Sequence, residues 1–336
     1  MAEYQKADAR DWAREHVRGC ANVIIPSYTS DLRALNERGI RHDVRRCIEL
    51  GFKGALLVSE VNITLSEYRQ FAEWAQDEAA GKLQLVHHAS FNTLEENIEV
   101  AQMTSPFTDY VLLSYPANFY PSSEEEVFEY TRAFCDGVDL GVMLFVVPLW
   151  NFGRLHPADI APQMLRRMVD EIPNVVGIKA EGARNTGGII DVYRQLKDDV
   201  IVTTPLEREI IPLLALADFQ YTGTSNTDYY GDSVPRMFEL ASNGNMDAAM
   251  EIYWQIQPAR SANAAVGQIT QTTGFINRMQ WKFQGWLNGM NGGPLRQPTM
   301  KIPDRTMAIL RRGLIDSGLA CEQAENAEFF VGRNPF

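Results

Sequence analysis

The chain has 336 residues, a length that admits either one large α/β barrel with an appendage or two smaller domains. Hydrophobic residues make up 45% of the chain and charged residues 22%, so it can bury a sizeable core and is not a disordered chain. Its 31 Lys and Arg against 43 Asp and Glu give a net charge of −12, which disfavours nucleic acid and anionic membrane surfaces as partners. We therefore expect a protein that acts on small molecules.

The cysteines and the apolar runs of the sequence indicate the cellular compartment in which we expect the protein. The four cysteines are far apart, without the spacing of a zinc site or a disulfide framework: Cys20, Cys47, Cys135 and Cys321. The first residues alternate in charge, where a secretory signal would be apolar. The longest apolar run, residues 141–150, is about half of the ~20 residues needed to cross a bilayer. These features predict reduced thiols in a cytoplasmic protein with no membrane insertion.

Short apolar, β-branched runs recur along the chain, and each is followed by a segment with helical period. The runs cover residues 21–25, 55–58, 83–87, 110–113, 142–147, 175–178, 201–204 and 219–223. Their average spacing is roughly 28 residues, the size of a βα repeat in an eightfold barrel. We therefore predict an α/β fold, a (β/α)8 TIM barrel of parallel strands.

Helix signals complete the predicted organisation. Ser66-Glu67 after Thr64-Leu65, the carboxylates that follow Ser122-Ser123, and His156-Pro157 are typical of helix starts. After residue 223 the pattern is helical throughout, over residues 232–243, 246–257 and a longer stretch at 264–287. We predict an N-terminal extension at residues 1–18, a barrel at 19–244, and a C-terminal helical extension at 245–336 packed on the barrel.

Lys179 is the residue that points most directly to chemistry. Reactive groups of a parallel barrel lie at the carboxyl ends of its strands, and alternation places Val175, Gly177 and Lys179 on one face of the sixth strand. If that face lines the barrel, Lys179 reaches the mouth above a glycine that leaves room for a ligand. Desolvation would then lower its pKa and make it a nucleophile for a carbonyl carbon. The alternative is a strand-end lysine that reaches solvent or pairs with Glu181.

Several motifs, in this order along the chain, resemble those of the dihydrodipicolinate synthase / N-acetylneuraminate lyase superfamily of lysine-dependent class I aldolases. They are residues 51–57, Thr64-Leu65, Tyr115-Pro116 with Pro121-Ser122, residues 144–148, Gly177-Ile178-Lys179 and residues 223–226. The resemblance implies a (β/α)8 barrel with a C-terminal helical extension, usually a homotetramer. It also implies that Lys179 forms an imine with pyruvate or another 2-oxo acid, without a metal or an organic cofactor.

The chain departs from the family pattern at several site positions. The tyrosine that moves protons in the family corresponds to Phe145, whose ring cannot relay a proton. The family's Thr-Thr-Gly-Glu loop, which holds the substrate carboxylate, is Val58, Ser59, Glu60 and Val61 here, so Ser59 and its neighbouring amides remain for that role. The synthase branch has a tyrosine after the fourth strand and an arginine after the fifth, where this chain has Asn118 and Trp150. These losses argue against true dihydrodipicolinate synthase activity.

Other groups near the predicted mouth could move protons in place of the phenol. They are Glu60, His87, His88, Tyr115, Tyr120, Glu181, Tyr229 and Tyr230. His87 and His88 are adjacent in a strand and so face opposite ways, which excludes a paired metal site and leaves at most one of them in the pocket. The sequence does not rank the remaining candidates.

These observations predict a cytoplasmic Schiff-base lyase, a class I aldolase or hydratase-aldolase, that acts on a 2-oxo acid through Lys179. We expect Val58, Ser59, Glu60 and Gly223 at the substrate, with Asn118, Phe145 and Trp150 shaping a pocket for a larger partner. Trp150 either lines that pocket or anchors a loop on the barrel rim.

Two further expectations concern the substrate. In length and in its tryptophan-bearing C-terminal helix, the chain is most similar to the hydratase-aldolases that cleave aromatic alkylidene-pyruvates. The sequence supplies Lys179 but not the family arginine, so we expect a substrate with one carboxylate. Phe145 favours an alternative, a family member with altered activity that binds a 2-oxo acid or acts as a Schiff-base hydratase or decarboxylase.

Overall fold

The computed structural model describes residues 4–116, 118–146, 160–181, 186–271, 276–299 and 301–336. Eight parallel strands form one sheet in the order β7-β6-β5-β4-β3-β2-β1-β8. The strands are β1 (Gly19–Ile24), β2 (Gly54–Leu57), β3 (Gln84–Ala89), β4 (Tyr110–Leu113), β5 (Val142–Phe145), β6 (Val175–Lys179), β7 (Ile201–Thr203) and β8 (Tyr221–Thr222). All eight predicted strands are confirmed, and so is the predicted (β/α)8 TIM barrel.

Threonine side chains join the last seam of the barrel, between β7 and β8. Thr203 Oγ1 donates to the Tyr221 carbonyl at 2.6 Å, and Thr222 Oγ1 donates to the Thr204 carbonyl at 2.8 Å. Strand β8 has two residues and can form few backbone hydrogen bonds, so these side-chain hydrogen bonds strengthen its contact with β7. The sheet thereby curls into a barrel with its carboxyl ends at a common mouth.

Helices surround the barrel and follow its strands. They are α1 (Ala9–His16), α2 (Glu37–Glu49), α3 (Leu65–Ala79), α4 (Leu94–Thr104), α5 (Glu124–Asp136), α6 (Pro162–Glu171), α7 (Thr186–Leu196), α8 (Glu207–Leu213), α9 (Ser233–Ser242), α10 (Met246–Gln255), α11 (Gln257–Gln271), α12 (Arg278–Leu287), α13 (Asp304–Asp316) and α14 (Asn326–Val331). A capping box between Thr64 and Glu67 opens α3, and Ser123 caps α5, as the sequence predicts. The predicted start at His156-Pro157 lies outside the described residues.

The C-terminal extension differs from the sequence prediction. The prediction of a single helix over residues 264–287 is wrong, because α11 already begins at Gln257 and a new helix, α12, begins at Arg278. Asn277 has extended backbone, and its side chain accepts a hydrogen bond from the Gln280 N–H, which is typical of an N-cap. Two further helices, α13 and α14, were not predicted. Within the described ranges, no helix is long and apolar enough to cross a membrane.

Helix α1 covers the amino-terminal end of the barrel through an arginine. The Arg10 guanidinium donates to the carbonyls of Val169, Ile172 and Val175, which belong to α6 and to the start of β6. These carbonyls lie where a helix ends and a strand begins, so the cation completes their hydrogen bonding. Arg10 therefore ties the N-terminal extension to the barrel at the end opposite the mouth.

We expect Arg10→Met to lower the free energy of unfolding by about 2–4 kcal/mol, because three carbonyls lose a charged donor. Denaturant unfolding followed by circular dichroism measures this loss. Arg33→Met is the matched control, since the Arg33 side chain is 88% exposed and its ion pair with Asp31 should contribute little. Equal unfolding midpoints for the two variants would contradict the stabilising role of Arg10.

Candidate active site

Lys179 is the last residue of β6 and points into the barrel mouth. Its side chain is 3% exposed, so the alternative of a lysine reaching solvent is excluded. Lys179 Nζ donates to Thr224 O at 3.0 Å and to Thr224 Oγ1 at 3.2 Å. Lys179 Nζ also lies 3.8 Å from the centre of the ring of Phe145, the residue of β5 that pairs with Lys179. The amine is thus held between a threonine after β8 and an aromatic ring at the end of β5.

The surroundings of Lys179 favour its neutral form. Burial lowers the pKa of Lys179 to about 8, and Glu181 acts in the opposite direction. The ring face of Phe145 and the Thr224 oxygens stabilise the ammonium without removing the cost of burial. At neutral pH the amine is therefore unprotonated more often than that of an exposed lysine, and the unprotonated form can attack a carbonyl carbon.

Two glycines near Lys179 serve packing. At Gly177 an added Cβ would lie 2.9 Å from Met143 Cε, so the expected space for a ligand is filled by methionine, and that prediction is wrong. Gly223 has φ +144°, and an added Cβ would lie 2.5 Å from the Ala21 carbonyl oxygen. Gly223 is thus required by the close approach of β1, and it brings the following Thr224 to Lys179.

The loop after β2 holds the predicted carboxylate-binding residues. Ser59 is buried, and its Oγ has no hydrogen-bond partner within the described part of the chain. The Ser59 N–H, however, donates to His88 Nδ1 at 3.2 Å, so one amide expected for the carboxylate is taken by a side chain. Val58 is fully buried, and its N–H donates to the Ile24 carbonyl at 3.0 Å. The free hydroxyl of Ser59 is therefore the group of this loop best placed for a substrate carboxylate.

His88 faces the mouth, whereas His87 faces the helices, so their predicted opposite orientation is confirmed. Because His88 Nδ1 accepts the Ser59 N–H, the neutral ring carries its proton on Nε2, which lies 4.0 Å from Glu60 Oε1. Burial, assisted by the Lys179 charge, lowers the pKa of His88 to about 3. His87 Nδ1 instead lies 2.7 Å from Thr104 Oγ1 of α4. His88 is consequently a neutral hydrogen-bond donor in the mouth.

None of the described contacts of the tyrosines predicted to move protons is with Lys179. Tyr115 Oη lies 2.5 Å from Thr131 Oγ1 of α5, and Tyr229 Oη donates to the Leu310 carbonyl of α13 at 2.7 Å. Tyr120 is exposed, and Tyr230 is buried with a hydrogen bond to Asn263. Among the predicted proton-moving groups that the structure describes, His88 and Glu181 interact electrostatically with Lys179, and Glu60 lies beside His88.

Of the residues expected to shape the pocket, Phe145 lies against Lys179 as described. Asn118 is exposed in the turn after β4, and no described contact joins it to Lys179. Trp150 lies outside the described residues, so its position in the mouth stays a prediction.

Sequence reasoning missed three polar groups of the mouth. Thr224 binds the lysine, although the resemblance drew attention to residues 223–226. Ser114 follows β4 on the side opposite Tyr115, and its buried Oγ also has no partner in the described ranges. Arg278, on α12, is 5% exposed and donates to Glu60. No local signal could place Arg278 here, because 218 residues separate it from Glu60.

Metal-binding geometry is not a feature of the described residues, in which no three His, Cys, Asp or Glu side chains cluster as ligands would. The arrangement is that of a buried amine with hydroxyl and N–H donors around it. Such a set suits attack on a ketone carbon and binding of an adjacent carboxylate.

The chain resembles curated proteins over most of its length. It is 24% identical over 314 residues to a 4-hydroxy-tetrahydrodipicolinate synthase of Methanopyrus kandleri, covering 91% of this chain and 98% of that protein. It is 19% identical over 242 residues to an N-acetylneuraminate lyase of Clostridium perfringens, covering 70% of this chain and 80% of that protein.

Solved structures show the same fold. The dihydrodipicolinate synthase of Aquifex aeolicus superposes with a TM-score of 0.77 at 16% identity, covering 91% of this chain and all of that chain (100%). The N-acetylneuraminate lyase of Fusobacterium nucleatum gives a TM-score of 0.72 at 17% identity, over 89% of this chain and 98% of that chain. The sequence profile of the dihydrodipicolinate synthetase family matches residues 33–302. The chain therefore belongs to the dihydrodipicolinate synthetase family.

Proposed function

We propose that the protein is a Schiff-base lyase of the class I aldolase type that acts on a 2-oxo acid such as pyruvate. The observation that carries this proposal is the buried amine of Lys179 at the end of β6, held by Thr224 and the Phe145 ring with a pKa of about 8. Membership of the family and its relatives named as synthases and lyases support the same reaction type.

The reaction begins with attack of the neutral Lys179 amine on the ketone carbon, which forms a carbinolamine. Loss of water gives a protonated imine, and this cation accepts the electron pair when the carbon–carbon bond β to it breaks. The hydroxyl group on the departing carbon gives its proton to the relay group and becomes the carbonyl of an aldehyde, which leaves. The enamine then takes up a proton at carbon, and water hydrolyses the imine to release the shortened 2-oxo acid and the Lys179 amine. Ser59 Oγ donates to the substrate carboxylate throughout.

We assign the proton relay to Glu181. Burial raises the pKa of Glu181, with Lys179 acting in the opposite direction. Glu181 is two residues after Lys179, just past the end of β6, where a carboxyl group can exchange protons with the amine and the substrate. His88, with a pKa of about 3, is too weak a base for this role and serves as an N–H donor. Glu60 is committed to Arg278 and Ser90.

We further propose that the reaction is not that of a true dihydrodipicolinate synthase, because Phe145 replaces the proton-moving tyrosine and Asn118 is exposed. A hydratase-aldolase that takes an aromatic alkylidene-pyruvate fits the aromatic residues Phe145, at the end of β5, and Trp150, five residues later in the sequence. Incubation with pyruvate and aspartate semialdehyde, analysed by NMR, tests the first part. Formation of the cyclic synthase product would contradict it.

A specific observation favours a second candidate, a family member with altered activity. The Ser59 N–H donates to His88 and is therefore not free for a substrate carboxylate, and Phe145 supplies no proton. A site of this kind suits binding, hydration or decarboxylation of a 2-oxo acid without aldol cleavage. NMR analysis of the products from a panel of 2-oxo acids distinguishes these reactions. Release of pyruvate from any alkylidene-pyruvate would argue against the altered member.

We also propose that the protein is a cytoplasmic homo-oligomer, a tetramer by family resemblance, with a C-terminal extension at residues 245–336 packed on a barrel at 19–244. The free thiols of Cys20, Cys47 and Cys135 are buried, which is typical of a reducing compartment. Light scattering in solution measures the oligomeric state.

We expect borohydride reduction in the presence of pyruvate to add one pyruvate-derived unit to the wild-type chain, located on Lys179. Intact mass followed by peptide mapping measures the adduct. Lys179→Ala should abolish it, because the variant lacks the amine that forms the imine. An adduct that survives Lys179→Ala, or no adduct on the wild type, would sink the proposed function.

The pH dependence of Lys179 reactivity should follow its lowered pKa. Competitive labelling with trace acetic anhydride, read by peptide mass spectrometry, should rise with a midpoint near pH 8, because the protonated form below that pH does not react. Lys197, whose pKa is raised by its pair with Asp198, is an internal reference. Thr224→Val should shift the midpoint to lower pH, since it removes a hydrogen-bond acceptor of the ammonium. A midpoint at the ordinary value of 10.5 would contradict the burial argument.

Glu181→Gln should lower the rate of imine trapping with pyruvate by about 10²-fold or more, because an amide cannot exchange the proton. Quenched-flow borohydride trapping measures the rate. Glu209→Gln is the matched control, since Glu209 is the next carboxyl group that interacts with Glu181 and has its own hydrogen bond with Thr204. Equal rates for the two variants would remove Glu181 from the mechanism.

A further inference from the structure

Arg278 is a buried cation whose hydrogen bonding is incomplete. It begins α12, is 5% exposed, and its Nη2 donates to Glu60 Oε2. Its Nε and Nη1 are buried without a hydrogen-bond partner within the described residues. Burial lowers the pKa of Arg278 to about 9, so the guanidinium stays protonated at neutral pH. Unpaired N–H groups on a buried charge cost free energy, and an acceptor from a ligand would remove that cost.

The shape of this group favours a carboxylate. Arg278 Cζ lies 4.4 Å from the centre of the Trp281 ring, so the aromatic side chain covers one face of the guanidinium. A ligand must then approach an edge of the plane, where the free N–H groups are. Nε and Nη1 lie on different edges, and each shares its edge with Nη2, which carries two hydrogens. Glu60 takes one Nη2 hydrogen, so one edge keeps two parallel N–H groups, the pair that a carboxylate accepts. Such charge-assisted bonds are about twice as strong as bonds between neutral groups.

Glu60 leaves Arg278 able to accept a second partner. The Glu60 carboxylate also accepts from Ser90 Oγ at 3.1 Å, and His88 Nε2 lies 4.0 Å from its Oε1. Glu60 therefore does not depend on Arg278 alone and can share the guanidinium with an incoming anion. An orphaned hydroxyl, Ser59 Oγ, precedes Glu60 in the same loop.

The position of Arg278 relative to Lys179 decides which part of a substrate it meets. The carboxylate of a 2-oxo acid is bonded to the carbon that Lys179 attacks, so it must stay beside Nζ. Two groups stand between Arg278 and Lys179. Glu60 binds Arg278, and His88, which the Lys179 charge affects, has its Nε2 4.0 Å from Glu60 Oε1. The free N–H groups of Arg278 therefore belong to the far end of a longer substrate.

We propose that Arg278 binds a carboxylate at the end of the substrate remote from the ketone, so that the preferred 2-oxo acid is a dicarboxylate. The inference rests on the proposed function of Lys179 and names the substrate class of that site. It applies to a carbon skeleton between the carboxylates that is either aliphatic or aromatic. The expectation of one carboxylate assumed that no arginine reaches the mouth. The structure overturns that premise, because an arginine 99 residues after Lys179 in the chain supplies the missing cation.

Pairs of 2-oxo acids that differ in the remote carboxylate alone test the proposal. We would compare 2-oxopentanedioate with 2-oxopentanoate, and 2-oxohexanedioate with 2-oxohexanoate. The readout is the concentration at which borohydride trapping on Lys179 is half-maximal, measured by intact mass. The wild type should take at least one diacid at a concentration about tenfold lower or more, because the remote charge gains a charge-assisted pair. Arg278→Met should raise the value for that diacid by about tenfold and change the value for its monoacid less.

Arg296→Met is the matched control. Arg296 is another arginine of the C-terminal extension, lies 4.3 Å from the centre of the Tyr28 ring and pairs with Glu67 through Nη1 and Nη2 at 2.7 Å. Its Nε also donates, to the Leu32 carbonyl, so it offers a ligand no comparable set of free donors. We expect Arg296→Met to keep the preference for the diacid. Arg278→Lys, which keeps the charge and loses the planar fork, should give an intermediate preference and covers the case in which Arg278→Met does not fold.

Equal values for every diacid and its monoacid in the wild type, or a preference that survives both Arg278 variants, would overturn the proposal. If no 2-oxo acid is trapped at all, the Schiff-base function fails, and a separate measurement decides Arg278. Calorimetric titration of the Lys179→Met variant with 2-oxopentanedioate and 2-oxopentanoate involves no imine. Tighter binding of the diacid that is lost on adding Arg278→Met supports the remote carboxylate site, and equal binding overturns it.

Discussion

Removing the Lys179 ammonium from water is the constraint on which the site depends. A lysine at the end of a barrel strand would ordinarily reach solvent, but here the ring of Phe145 and the oxygens of Thr224 enclose it. The resulting desolvation lowers its pKa to about 8, which favours the neutral amine that the proposed function requires. Thr224 can lie there because Gly223 permits a close approach to β1 that any other residue would block.

Helix α12 brings two cations to the barrel. One face of α12 carries Arg278 and, a turn later, Lys282, whose Nζ donates to the Pro26 carbonyl just after β1. These two residues bring cations to the ends of β1 and β2 in a protein whose net charge is −12. Local positive charge in an acidic protein is therefore gathered by tertiary contact between the barrel and the extension.

The fold was largely predictable, and the reason lies in the repeat. Eight β-branched runs at a regular spacing allow few arrangements besides a parallel barrel, and alternation within β6 put Lys179 on the inner face. Prediction failed where the signal is weak or ambiguous. Asn277 interrupts a sequence that otherwise reads as one helix over residues 264–287, and only its extended backbone shows it to be a cap. Gly177 predicted free space for a ligand, but the flexible side chain of Met143, on the neighbouring strand β5, fills that space.

The sequence by itself determined the eight-stranded barrel and the place of Lys179 at a strand end. Each of these depends on local period or on residue type at one position, which a linear chain displays. The tertiary structure alone decided that His88 takes the Ser59 N–H, that Thr224 binds the lysine, and that Arg278 meets Glu60. These contacts join residues distant in the chain, and their geometry follows from how the strands of the barrel and α12 pack together, which no local pattern encodes.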